Sequence, residues 1–170
     1  MLQLQIVNFK QGSYIVVEGN STNDKFYIIQ KGAVQCFKSS GAGTQSYLLG
    51  PGDFVGVVPC MSGHSQIETA IAQTDVVLIS VKKEQYPDLN IEELATQKVV
   101  YSNTTLNIRN GNSTDFDQIG QLEKYESARV IGEYDRWYFI MTNEYQFGFI
   151  NKEYAKDMED NYVIVDKSEQ

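Results

Sequence analysis

His64 is the single histidine of this 170-residue chain, and Cys36 and Cys60 are its only cysteines. Their spacing gives none of them a chemical partner. No nucleophile or orienting carboxylate stands beside His64, and the cysteines show neither CxxC spacing nor a nearby histidine. General-base and nucleophilic catalysis need such pairs within hydrogen-bond reach, and zinc needs several soft or imidazole ligands. The chain also lacks a GxSxG elbow and a phosphate-binding loop. Catalytic residues, a metal site and a cofactor are therefore all predicted absent. His64 reads as an exposed loop residue, and the cysteines as buried, reduced thiols rather than a disulfide. One charged residue stands apart: Glu68 lies in a stretch where no Lys or Arg occurs between Lys38 and Lys82.

The net charge of −8 and the isoelectric point near 4.6 oppose nucleic-acid binding, which depends on clustered Lys and Arg. The one adjacent basic pair, Lys82 and Lys83, reads as a solvated helix start. No run approaches the roughly 18 apolar residues of a membrane helix. The opening MLQLQIVNFKQG has no basic segment followed by a long apolar stretch, so no secretory signal is predicted and the cytoplasm is the expected location.

The elements that must position these residues are short strands. In the first half SYIVVEG, KFYIIQKGAVQCFK, SYLLGPGDFVGVV and IETAIAQTDVVLISV are rich in Val, Ile, Tyr and Phe and are divided by glycines. That grammar predicts an all-β sandwich or barrel, with a tight hairpin at Gly32. From Lys82 the composition shifts to helix formers, Pro87 interrupts, and Asn90 followed by Glu93 predicts a capped short helix in a linker. Strand-like runs then resume from Val99. The predicted divisions are a β-roll over 1–86, a linker over 87–98, a second β domain over 99–165 and a frayed tail over 166–170.

Gly12, Glu18–Gly19, Phe26–Tyr27–Ile28–Ile29, Lys31–Gly32 and Leu49–Gly50–Pro51–Gly52–Asp53–Phe54 occur in an order that resembles the cyclic nucleotide-binding domain. The resemblance implies an eight-stranded jelly roll, a double-stranded β-helix. In that family a cassette of Phe, Gly and Glu, then a short helix, then Arg, Ser or Thr, and Ala holds the cyclic nucleotide. Its glutamate receives the ribose hydroxyl and its arginine pairs with the phosphate. Here Gly56, Thr69 and Ala70 fit the cassette, Val57 replaces the glutamate and Glu68 replaces the arginine.

Loss of a charge-assisted contact costs about 1.5–3 kcal/mol, and a carboxylate about 4 Å from phosphate adds repulsion of about 4 kcal/mol at an effective dielectric near 20. At about 1.4 kcal/mol per decade the affinity falls by roughly three decades or more. Cyclic mononucleotide is therefore not an expected ligand. Two placements are open to Glu68: a solvent-facing strand residue, or a carboxylate folded onto the backbone amides near Gly56 and Val57. Met61 to Ser65 would form the loop above the pocket. The short linker leaves little chain for the lid helices that follow the roll in family sensors.

Beyond the linker, Leu106–Asn107–Ile108–Arg109, Trp137–Tyr138 and Gly148–Phe149–Ile150 resemble the spaced motifs of bacterial SH3 domains. The resemblance implies a small SH3-like barrel. Trp137 reads as half-buried packing ahead of a ligand platform, and Arg109 as a brace for the loop after its strand. Tyr134, Trp137, Tyr138, Tyr145 and Phe147 supply aromatic area for a partner groove. The tail run Tyr162–Val163–Ile164–Val165 could add an edge strand.

The combined reading is all-β: a cyclic nucleotide-binding-like roll, a short helical linker and an SH3-like barrel. It predicts a non-enzymatic cytoplasmic adaptor that has lost cyclic mononucleotide binding and takes a protein partner, with neither nucleic acid nor membrane as target. A regulator sensing a different small molecule in the roll is the alternative, and cell-wall binding the third.

Overall fold

β-Branched and aromatic runs form the strands in a computed structural model that describes residues 2–85 and 98–158. The chain divides into two units, Leu4–Pro87 on one side and Met1–Gln3 with Asp88–Gln170 on the other. The described residues are nearly all β with very little helix, as the composition predicts. None of their helices is long and apolar enough to cross a membrane.

The N-terminal unit holds β1 (Gln5–Phe9), β2 (Tyr14–Val16), β3 (Lys25–Lys31), β4 (Val34–Ser40), β5 (Gly43–Leu49), β6 (Phe54–Val55), the helix α1 (Val57–Ser62), β7 (Thr69–Ala72) and β8 (Val76–Lys82). They make two four-stranded antiparallel sheets, ordered β1-β8-β3-β6 and β2-β7-β4-β5. Side chains alternate across a strand, so Tyr27, Ile29, Val76 and Leu78 of the first sheet share one core with Ile15, Val34, Cys36 and Ala70 of the second. Both cysteines are free and buried. Strand β3 is buried at four successive residues, Phe26 to Ile29, which places apolar side chains on both of its faces. β1 carries little signal of its own because QIVNF is half polar, and only its pairing with β8, Gln5 opposite Ser80 through Phe9 opposite Val76, makes it a strand.

The predicted hairpin at Gly32 is a corner instead. β3 and β4 belong to different sheets, and the chain crosses between them at Lys31–Val34. Gly32 has φ +93°, and a Cβ there would lie 2.5 Å from the Asp75 carbonyl oxygen and 2.7 Å from Val76 Cγ1. Lys82 closes β8 and Lys83–Gln85 form one 3₁₀ turn, so the basic pair is not the start of an α-helix. The predicted linker helix around Pro87, Asn90 and Glu93 lies outside the described residues, as do Tyr162–Val165 and the tail.

The C-terminal unit holds β9 (Val99–Tyr101), β10 (Leu106–Arg109), β11 (Gln118–Leu122), β12 (Ser127–Tyr134), β13 (Trp137–Thr142), β14 (Phe147–Asn151) and β15 (Lys156–Asp157). They form one antiparallel sheet ordered β11-β10-β14-β13-β12-β9-β15. Register shifts at Ile108/Arg109 and Val130/Gly132 interrupt the ladders, the irregularities that let a sheet bend sharply. Val100, Ile108, Ile140 and Ile150 share one core, while Phe139 stacks on Phe149 at 5.1 Å and lies 6.3 Å from Phe147. Leu2 and Gln3 join this unit: Leu2 exchanges hydrogen bonds with Asn112, 2.8 Å to its side chain and 3.0 Å from its amide, and Gln3 bridges to Gly111.

Candidate functional site

The site begins with a backbone reversal. Gly56 adopts φ +75° as it ends β6 and starts α1, and a Cβ there would lie 3.1 Å from both polar atoms of the Gln66 amide. Glycine meets both demands at once. Pro59 sits in the first turn of α1, where its missing N–H costs no helix bond. Gly63 closes the helix in the left-handed region, its N–H and that of His64 reaching back to the carbonyls of Cys60 and Pro59. Lys83 Nζ donates to the Met61 carbonyl at 3.3 Å, a cation at the helix C-terminus. Met61 and Ser62 therefore belong to the helix, and only Gly63 to Ser65 remain as loop.

Glu68 stands just before β7. β4 lies between β7 and β5, and Tyr47 of β5, opposite Cys36 of β4, donates its hydroxyl to the Glu68 carboxylate. No amide of Gly56 or Val57 donates to Glu68; the folded-back placement is replaced by a carboxylate held across the sheet by a tyrosine. Burial, then the bond to Glu68, pushes the Tyr47 phenol well above its ordinary range, so it stays the donor. Burial, followed by the Glu68 carboxylate, pushes the Cys36 thiol up to about 11.

Gly56, Val57, Glu68 and Ala70 line one cavity of about 130 Å³, together with Tyr47 and Gln66. Among the described residues its lining includes no Lys or Arg. Thr69 is engaged on the other side of its strand, where its Oγ1 accepts the Glu18 N–H at 3.0 Å. Four of the five residues read from the cassette are thus brought together. Tyr47 and Gln66 were not predicted as site residues, because a tyrosine in a strand and a glutamine after a loop carry no signal until the strand order is known. Burial of Gln66, only 5% exposed, is the feature that marks it.

In the C-terminal unit the five aromatics separate. Tyr138 and Phe147 are core residues, 5% and 1% exposed, and Tyr134 is half-buried with its ring 6.2 Å from Phe149. Strand alternation and the second apolar layer absorb them. Trp137 is half-buried and lines a groove of about 340 Å³ with Leu106, Arg109, Asn151 and Tyr154. Tyr145 is exposed in a left-handed turn and does not line that groove. Arg109 donates to the Phe116 carbonyl at 3.0 Å, bracing the loop that follows its strand as predicted.

Among solved structures, the chain is similar to the Thermus thermophilus catabolite activator protein at 25% identity and a TM-score of 0.46, over 50% of this chain and 40% of that one. It is similar to the regulatory subunit of a cAMP-independent protein kinase A from Trypanosoma brucei at 26% identity and a TM-score of 0.44, over 49% and 32%. For the N-terminal domain of a transcriptional regulator from Streptomyces coelicolor A3(2) the values are 24%, 0.44, 55% and 69%. The chain thus spans less than half the length of the first two. No curated protein matches it. Residues 6–89 match the family model of the cyclic nucleotide-binding domain, the segment that here forms the paired four-stranded sheets and carries Gly56, Glu68 and Ala70 around one cavity. The N-terminal half of the chain carries a cyclic nucleotide-binding domain.

Proposed function

We propose that this chain is a non-enzymatic regulatory adaptor of the cytoplasm, in which the cyclic nucleotide-binding domain has lost cyclic mononucleotide binding and an SH3-like C-terminal unit docks a protein partner. The observation that carries the first part is Glu68, which stands in the cassette cavity where the family's phosphate-binding arginine is expected, in a lining with no cation. Size argues the same way. The cavity of about 130 Å³ is below the roughly 300–1,000 Å³ of typical ligand pockets. Support for docking comes from the groove of Trp137, Asn151 and Tyr154, whose rigid aromatics offer contact area at low entropic cost.

The test is a melting experiment. Ligand at a hundredfold over its dissociation constant stabilises by about 2.7 kcal/mol. Cyclic AMP and cyclic GMP at millimolar concentration are expected to leave the melting temperature unchanged, and a clear rise with either rejects the reading. For the docking half, affinity capture from the native cell is expected to retain a partner that Trp137→Ala loses; equal retention by the variant rejects the groove as the contact surface.

A further inference from the structure

The cassette cavity carries a polarity opposite to the one its fold was built around. Two polar side chains in its lining, Glu68 and Gln66, have acceptor capacity left over. Glu68 takes the Tyr47 hydroxyl and receives no second donor from the described residues. Gln66 is only 5% exposed, yet its side-chain amide makes no hydrogen bond to a described residue. Its amide atoms are not sealed from solvent, so a bound donor can reach the amide oxygen. The amide packs against Gly56, which places it on the cassette side. Burial, then the Glu68 carboxylate, raises the Cys36 thiol beside the cavity, while the hydrogen bond with Tyr47 works against the rise. Elsewhere the walls are apolar, formed by Val16, Leu49, Phe54, Val55 and Ala70.

We propose that this cavity is a site for a small primary alkylammonium, its charged head paired with the Glu68 carboxylate and the Gln66 amide oxygen, and its alkyl tail on the apolar walls. An ammonium supplies three donors and needs no acceptor, which suits a lining with a carboxylate, an amide oxygen and no cation. The volume of about 130 Å³ sets the size. An apolar cavity of about 150 Å³ accepts benzene, so the ligand has about six non-hydrogen atoms. The inference rests on the reading that cyclic mononucleotide binding has been lost.

Nuclear magnetic resonance titration of the full chain with 3-methylbutylammonium, 3-methylbutan-1-ol, 3-methylbutanoate and cyclic AMP tests it. The ammonium is expected to shift the Gln66 side-chain amide and the Val57 and Ala70 backbone amides saturably, and the alcohol and carboxylate to leave them in place. Glu68→Gln should weaken the ammonium by about tenfold or more, the loss of one charge-assisted contact. No saturable shift with the ammonium, equal binding of the alcohol, or unchanged affinity in Glu68→Gln each overturns the proposal; the first two outcomes are read on the unmodified chain. Saturation by cyclic AMP instead overturns the underlying loss of nucleotide binding, whereas silence from all four compounds removes the ammonium site alone.

Discussion

The Tyr47–Glu68 contact fixes the carboxylate in the lining of the cavity. Tyr47 is 41% exposed, so water competes for the bond and its worth falls to that of an ordinary neutral hydrogen bond. Tyr47→Phe is expected to lower stability by about 1 kcal/mol in urea unfolding, and a neutral result would mean that the bond is fully exchanged for water. Thiol chemistry offers a second check at this scale. Cys36 is buried and its thiol is raised to about 11, and Cys60 is also buried with a raised thiol. Thiolate is the reactive form, so neither should be modified by a disulfide reagent near pH 8 until the chain unfolds. Rapid reaction of one thiol in the folded protein would contradict the observed burial.

At the scale of elements, the corner at Gly32 and the ionic cluster at the edge of β12 make opposite kinds of demand. Gly32 combines positive φ with a Cβ position already filled by Asp75 and Val76. Gly32→Ala is expected to cost about 2 kcal/mol or more, read as a lower urea midpoint with unchanged slope. The cluster is electrostatic: Glu133 accepts from Lys98 at 3.2 Å and Lys152 at 3.3 Å, and Lys98 also pairs with Asp157 at 3.4 Å and donates to the Tyr138 hydroxyl at 3.1 Å. Burial works against the Glu133 charge, but the bonds from both lysines outweigh it and hold the carboxyl below its ordinary range. A carboxyl lowered on folding contributes stability above its unfolded value, near 4.5, and loses it as pH falls through the folded value. Glu133→Gln should therefore flatten the acid limb of the stability curve below about pH 4.5, while leaving its shape near neutrality unchanged. These pairs are partly exposed, so added salt should mimic part of the effect.

At the scale of the whole molecule, the two units do not partition simply along the chain. Leu2 and Gln3 precede the roll in sequence yet bond to Asn112 and Gly111 of the C-terminal unit. Removing Met1–Gln3 should accordingly speed hydrogen exchange around Asn112 and leave the strands of the roll unaffected; increased exchange confined to the roll would contradict this pairing. The motifs named in the sequence were sufficient to place the cyclic nucleotide-binding domain, because turn glycines and buried runs such as Phe26–Ile29 are local requirements of that roll. They could not reveal that the first residues join the C-terminal unit, since nothing local in MLQ records a partner more than a hundred residues away.

Residue type and order alone determined the all-β class, the buried cysteines, and a carboxylate at position 68 in a stretch free of Lys and Arg. These follow from composition, turn chemistry and position, which are properties of short segments. Tertiary structure alone decided where Glu68 points, which aromatics stay at the surface and how small the cavity is. Each depends on which strands become neighbours: Tyr47 reaches Glu68 because β4 lies between β5 and β7, and Phe147 is lost from the surface because β13 and β14 bring their rings together in a second apolar layer. Pairing across long sequence separation carries no local signature, so it becomes visible only once the sheets have formed.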